Sequence, residues 1–144
     1  MKELFYVDKV NQVSISWDQL IKDLNNTSSF SLYLDASDYY ELIKKLIISI
    51  LSDIPIVLID GSYTVYEKEY CYQQLQFENE RIEVSLNLTS KDHLIQAFHQ
   101  SKDHWSITMF SSGTNGKPKS ITHSWLPLMR NVKVSSKHRS NVWG

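Results

Sequence analysis

Trp105-Ser106-Ile107-Thr108-Met109-Phe110 runs directly into Ser111-Ser112-Gly113-Thr114-Asn115-Gly116-Lys117-Pro118-Lys119. The first six residues are aromatic, β-branched or apolar enough to predict a buried strand, so the segment that follows is a loop on a rigid stem. That loop gathers the hydroxyls of Ser111, Ser112 and Thr114, the glycines Gly113 and Gly116, and the ammonium groups of Lys117 and Lys119. Glycine is scarce elsewhere: the chain has four in 144 residues, well under the usual share of about 7%. Two glycines in one loop therefore point to a backbone that turns sharply or is approached closely. Ser120-Ile121-Thr122 reads as extended, which makes the whole a strand-loop-strand hairpin.

Upstream of this hairpin the pattern alternates between helix and strand. Three helix starts carry a capping residue followed three positions later by an acid or amide: Ser16 with Gln19, Asp38 with Glu41, and Thr89 with Asp92. Behind each lies an apolar face, Trp17, Leu20, Ile21 and Leu24 in the first, Leu42, Ile43, Leu46, Ile47 and Ile50 in the second, and Leu94, Ile95 and Phe98 in the third. Between them, Ile54 to Ile59 is an apolar run ending at Asp60-Gly61, and Ile82, Val84, Leu86 and Leu88 alternate as a half-buried strand does. This order predicts an α/β fold, a mixed and substantially parallel sheet with flanking helices. Downstream, Ser124 and Pro127 open a short helix running toward Lys133. Val142-Trp143-Gly144 reads as the start of a further strand, so residues 1–144 are expected to form part of a larger domain cut at its C-terminal side.

Composition narrows the function classes. A chain of 144 residues with 42% hydrophobic content suffices for one ordinary core. Its net charge of -1 conceals a division at Asp103, the last acidic residue: residues 1–103 hold all 16 carboxylates against nine Lys and Arg, and residues 104–144 hold six Lys and Arg alone. A nucleotide, a nucleic acid or an acidic surface would each suit such a basic segment, as would a plain solvated face. Cys71 is the only cysteine, which rules out an intrachain disulfide and favours a reduced, cytoplasmic setting. Flanked by Tyr70 and Tyr72, it has no neighbouring cation to activate it and reads as structural. Neither a basic-then-apolar leader nor a run of membrane-spanning length is visible.

The loop itself offers two readings. Asn115-Gly116 is a favoured two-residue turn, and Lys117-Pro118-Lys119 would make a soluble strand edge. The clustered hydroxyls favour the other reading, an anion held by successive backbone N–H groups, with lysine charges on phosphate oxygens. A Walker phosphate loop is excluded directly: its first glycine would fall on Ser111, and Pro118 stands in its Ser/Thr position.

Thr108 to Lys119 closely resembles the phosphate-binding signature of the adenylate-forming superfamily, which comprises acyl- and aryl-CoA synthetases, adenylation domains and luciferases. That signature reads Ser/Thr-Ser/Gly-Gly-Thr/Ser-Ser/Thr-Gly-x-Pro-Lys. Asn115 stands where the family usually has Ser or Thr, and Ser120 replaces the usual glycine after the lysine. Ile121-Thr122-His123-Ser124-Trp125 resembles the acyl-AMP ligase version. The clear similarity covers residues 90–144, and residues 1–89 match in their α/β pattern alone. What the resemblance implies is a partial N-terminal domain of an ATP- and Mg²⁺-dependent acid–thiol ligase. Such an enzyme joins a small carboxylic acid to AMP and passes the acyl group to CoA or an acyl carrier protein. By the same resemblance Ser111, Ser112, Gly113, Thr114, Asn115, Gly116 and Lys117 would hold the β- and γ-phosphates, with Asn115 weaker there than the family's usual hydroxyl, and Lys119 would either join them or fasten the loop. The adenylation lysine, the aromatic-Thr-Glu adenine motif and the ribose-binding Asp would all lie beyond Gly144, so no catalytic residue is assigned within the chain.

The alternative is a non-catalytic nucleotide-binding or regulatory module that keeps the loop. A nucleic-acid partner is disfavoured, because the basic segment has few interleaved stacking aromatics beyond Trp125 and Trp143. Those two rings, set among apolar neighbours, read as core. His93, His99 and His104 lack the helical spacing of a zinc site, and no metal-binding set is expected of them. His123 either faces the ATP site or caps a strand.

Overall fold

The computed structural model describes residues 3–35, 38–75, 81–111 and 117–130. Its strands are β1 (Leu4–Asp8), β2 (Val13–Ser16), β3 (Ser29–Ser31), β4 (Tyr33–Asp35), β5 (Ile56–Ile59), β6 (Arg81–Glu83), β7 (Ser106–Ser111) and β8 (Lys119–Ser124). Its helices are α1 (Trp17–Asn26), α2 (Tyr39–Leu51), α3 (Val65–Leu75), α4 (Lys91–Ser101) and α5 (Trp125–Met129). The principal sheet has the order β4-β5-β7-β8, parallel through β7 and closed by an antiparallel β8. Two smaller antiparallel pairs, β1-β2 and β3-β6, stand beside it. The expected α/β architecture with a mixed sheet and flanking helices is what forms.

Strand pleat sorts the core into two layers. Leu34, Ile56 and Ile107 point to one face, where they meet Leu20 and Leu24 of α1, Ile47 and Ile48 of α2, and Leu94 of α4. Tyr33, Val57 and Ile59 point to the other, where Cys71 of α3 completes a smaller cluster with Tyr63, Tyr72 and Phe110 around it. Covering both faces explains why β5 is apolar at every position, since a parallel strand between two helical layers has no wet side.

Capping expectations hold for two helices and shift by one residue in the third. Ser16 Oγ accepts the Gln19 N–H at 3.2 Å and Asp38 Oδ1 accepts that of Glu41 at 3.0 Å. For α4 the cap is Ser90, whose Oγ accepts the His93 N–H at 3.1 Å, in place of Thr89. Thr89 instead meets His93 Nδ1 through its hydroxyl at 3.1 Å. Both residues are able to cap; the one whose Oγ lies three residues before an orphan N–H at the true helix start takes the role.

The run from Ile82 to Leu88 also departs from expectation. Regular pairing stops at Glu83, although Ile82, Val84, Leu86 and Leu88 do turn inward while the residues between them stay exposed. What replaces the ladder is Asn25 of α1. Its Nδ2 donates to the Leu88 carbonyl and its Oδ1 accepts the Leu88 N–H, both at 2.8 Å, so one side-chain amide satisfies the backbone as a neighbouring strand would. Inward alternation reports burial of side chains, and burial does not require a strand partner.

The expected helix after Ser124 is α5, with Ser124 at its cap position but making no side-chain capping bond. Its expected continuation toward Lys133, and the expected strand at Val142-Trp143-Gly144, lie outside the described residues.

Candidate functional site

The site is built on the β7-β8 hairpin, and its rigidity starts at the root. Trp105, just before β7, is 3% exposed and donates its indole N–H to Ser49 Oγ of α2 at 3.0 Å. Ser49 in turn donates to the Leu46 carbonyl at 2.8 Å, so a buried hydroxyl and a buried indole are both satisfied. Trp125, just after β8, meets Trp105 edge-on at 6.4 Å and Phe98 of α4 at 5.1 Å between ring centroids. The two tryptophans thus close the base of the hairpin, and Trp125, half-buried, packs against the core rather than forming part of it. Trp143 lies outside the described residues.

From this base the strands run in continuous register, from Ser106 opposite Ser124 to Ser111 opposite Lys119. Thr108 and Thr122 lie opposite one another and share a hydroxyl hydrogen bond of 2.8 Å. The parallel strands β5 and β7 end at the same edge, and open α/β sheets receive ligands at the carboxyl ends of their parallel strands. Here the segment after β5 packs against the end of β7. Tyr63 Oη donates to the Phe110 carbonyl at 3.4 Å, and burial pushes its phenol above the ordinary tyrosine value, so it stays a donor. Asp60, at the turn, accepts from the Ser62 hydroxyl at 2.7 Å and its amide at 2.8 Å, and these bonds hold its carboxyl below the usual range.

Of the expected phosphate ligands, Ser111, Lys117 and Lys119 are described, and Ser112, Gly113, Thr114, Asn115 and Gly116 lie outside the described residues. Ser111 and Lys119 are direct partners across the strands, with Ser111 Oγ approaching the Lys119 carbonyl at 3.5 Å. Lys119 therefore ties the hairpin through its main chain, while its side chain stays exposed. Pro118 between the two lysines is buried, whereas Lys117 is exposed. The Lys117 ammonium lies over the ring of Tyr70 in α3, 5.6 Å from the centroid.

Lys117, Pro118, Lys119 and Ser120 form one side of an open depression of about 500 Å³, and Tyr70 and Gln74 of α3 form the other. None of these residues carries a carboxylate. Two ammonium groups with hydroxyl and amide neighbours suit an anion rich in oxygen, each charge-assisted contact contributing about 1.5–3 kcal/mol. Tyr70 and Gln74 were not legible as site residues: they sit far from the loop in sequence, in a helix whose apolar residues do not gather into one stripe, and no local signal marks them.

The remaining candidates stand apart. His123 is half-buried on β8 opposite Ile107. Cys71 is fully buried and burial pushes its thiol up, as befits a packing residue. Among the described residues no cluster of three or more His, Cys, Asp or Glu is arranged to hold a metal ion, and no helix is long and apolar enough to cross a membrane. A depression of about 520 Å³ between α1 and the start of α4 holds Lys22 and Lys91; Lys91 there is already engaged by Glu3 and by the Trp17 ring. No family model, curated protein or solved structure matches the chain.

Proposed function

We propose that the β7-β8 hairpin binds the pyrophosphate portion of ATP, and that the chain serves an ATP-dependent ligase which activates a carboxylic acid as its adenylate. The observation that carries this reading is the setting of Lys117. It stands exposed in a depression where none of the described lining residues is acidic, at the end of a hairpin whose last strand pair is Ser111 with Lys119. The signature in Ser111 to Lys119 supplies the rest, as a resemblance.

In the reaction so proposed, a carboxylate oxygen attacks the α-phosphorus and the bond to the bridging oxygen of pyrophosphate breaks, so negative charge grows on the leaving group. The chain's part is to bind and orient that group and to offset its charge with Lys117 and Lys119, a contribution of positioning and electrostatics. Mg²⁺, when bound with the nucleotide, would supply further charge neutralisation on the phosphate oxygens. The acyl group would then pass to a thiol, of CoA or a carrier protein. No group that acts on the carboxylate or the α-phosphate is assigned within the chain.

Calorimetric titration of the chain with pyrophosphate and with Mg-ATP tests the binding. Saturable uptake of both is expected, weakened about ten- to a hundredfold in Lys117→Gln. Equal affinity in the variant, or none in the native chain, would remove the basis of the proposal. For the activity, the gene should be read past Gly144 and its whole product assayed for acid-dependent exchange of pyrophosphate into ATP. Binding without exchange would favour the non-catalytic nucleotide-binding module.

A further inference from the structure

We propose that Tyr70 of α3 is a positioning residue for this site, holding the Lys117 ammonium where it meets the incoming phosphate. The inference rests on the phosphate-binding reading of the hairpin and adds to it a residue from a different element.

Lysine reaches its charge through four methylenes, and an exposed lysine on a loop loses much rotamer freedom when it is fixed by a ligand. Lys117 is exposed, yet its ammonium is drawn to the face of a half-buried ring at 5.6 Å. The aromatic quadrupole attracts the cation from one side and uses none of its three N–H donors in a directed bond, so the donors stay available to an anion. Tyr70 itself is set by its helix. Cys71, the next residue, is fully buried against the sheet, and Tyr72 meets Tyr33 edge-on at 4.6 Å. At the helix start Thr64 and Glu67 cap each other reciprocally. Across the gap, buried Pro118 fixes the backbone next to Lys117. A ring on a clamped helix and a cation beside a clamped proline thus face each other across the depression. Holding the cation there before the ligand arrives lowers the ordering cost of binding.

The test is a double-mutant cycle on the intact chain, with pyrophosphate as probe and calorimetry as readout. Tyr70→Leu should weaken binding about two- to fivefold, the range of an exposed cation–π contact. Tyr70→Phe keeps the ring face and should bind as the native chain does. In a Lys117→Gln background Tyr70→Leu should have no further effect, a result that a general loosening of α3 would not give. Tyr70→Gln serves in place of Leu if that variant does not fold. Independently of any ligand, the Lys117 ε-methylene protons should resonate upfield in the native chain and in Tyr70→Phe, through the ring current, and return to ordinary positions in Tyr70→Leu. Unshifted protons in the native chain would overturn the proposal, as would native affinity in Tyr70→Leu or an undiminished loss in the Lys117→Gln background. If the native chain takes up no pyrophosphate at all, the phosphate-site reading itself falls and the positioning role with it. If it does and Tyr70→Leu is silent, the positioning role alone is lost.

Discussion

Single residues set the local geometry on which the site depends, and Glu67 is an instance with a measurable consequence. Its carboxylate accepts from the Thr64 amide at 2.8 Å and hydroxyl at 2.7 Å, and Glu67's own amide donates back to Thr64 Oγ1 at 3.3 Å. The Thr64 hydroxyl, and then its amide, hold the Glu67 carboxyl below the ordinary glutamate value. A carboxyl depressed in the folded state contributes stability above its unfolded value and loses it as the pH falls through its folded value. Acidification below the usual glutamate range is therefore expected to free the start of α3, seen as a fall in the protection of the Thr64 amide relative to its intrinsic exchange rate, with Glu67→Gln removing the pH dependence of that protection. Thr64-Val65-Tyr66-Glu67 had the same capping form as the three starts identified from sequence, so this helix was legible at its cap. What obscured it was the body of the helix, where Tyr66, Glu69 and Gln73 are exposed and Cys71 alone is fully buried. A helix covering a small second cluster needs no broad apolar stripe.

Among the elements, three of the four strands of the main sheet, β5, β7 and β8, were legible and their company was not. Ile54 to Ile59 and Trp105 to Phe110 mark β5 and β7 within a residue or two: β5 is apolar at every position, as a buried parallel strand is, and in β7 Ile107, Met109 and Phe110 supply the apolar signal among Ser106, Thr108 and Ser111. The short strands β3 and β4 carry too few residues for any period to show. For β1 and β2 the connection is closed by Asp8, whose Oδ1 accepts from the Val10 and Asn11 amides at 2.9 and 3.0 Å, and by Gln12 at a positive φ of 55°, without the glycine that usually signals such a turn. The segment from Val84 to Leu88 makes the converse point, reading as a strand because its side chains are inward while Asn25 supplies the backbone bonds at Leu88. Replacing Asn25 by Ala would leave the Leu88 amide and carbonyl without partners, at a cost of about 1–3 kcal/mol in urea denaturation. The neighbouring exposed Asn26→Ala should stay within about 0.5 kcal/mol. Equal effects of the two would remove Asn25 from this role.

At the scale of the whole molecule, two helical layers of unequal size enclose the sheet. The larger cluster is shared by α1, α2 and α4, whereas among the described helices α3 alone contributes to the smaller. Cys71 lies in that smaller cluster, fully buried, with its thiol pushed up by burial. Its modification by a thiol reagent should be slow in native buffer and accelerate with urea in step with α3 lifting from the sheet. Rapid labelling of the native chain would contradict this packing. Because α3 also carries Tyr70, pyrophosphate bound at the hairpin is expected to slow the labelling, through preferential binding to the closed form.

The amino-acid sequence by itself determined the helices with capped, amphipathic faces, the apolar strands of the sheet, the hairpin and the chemical character of the loop between its arms. All of these are local: a cap, a period or a cluster of hydroxyls and lysines acts within a few residues. Only the tertiary structure decided that α3 stands across from the hairpin, that Tyr70 lies beneath the Lys117 ammonium, that Trp105 and Trp125 close the hairpin's base, and that Asn25 completes the backbone of Leu88. Those pairings join residues far apart in the chain, and they follow from how apolar faces exclude water together, which no short window of sequence contains.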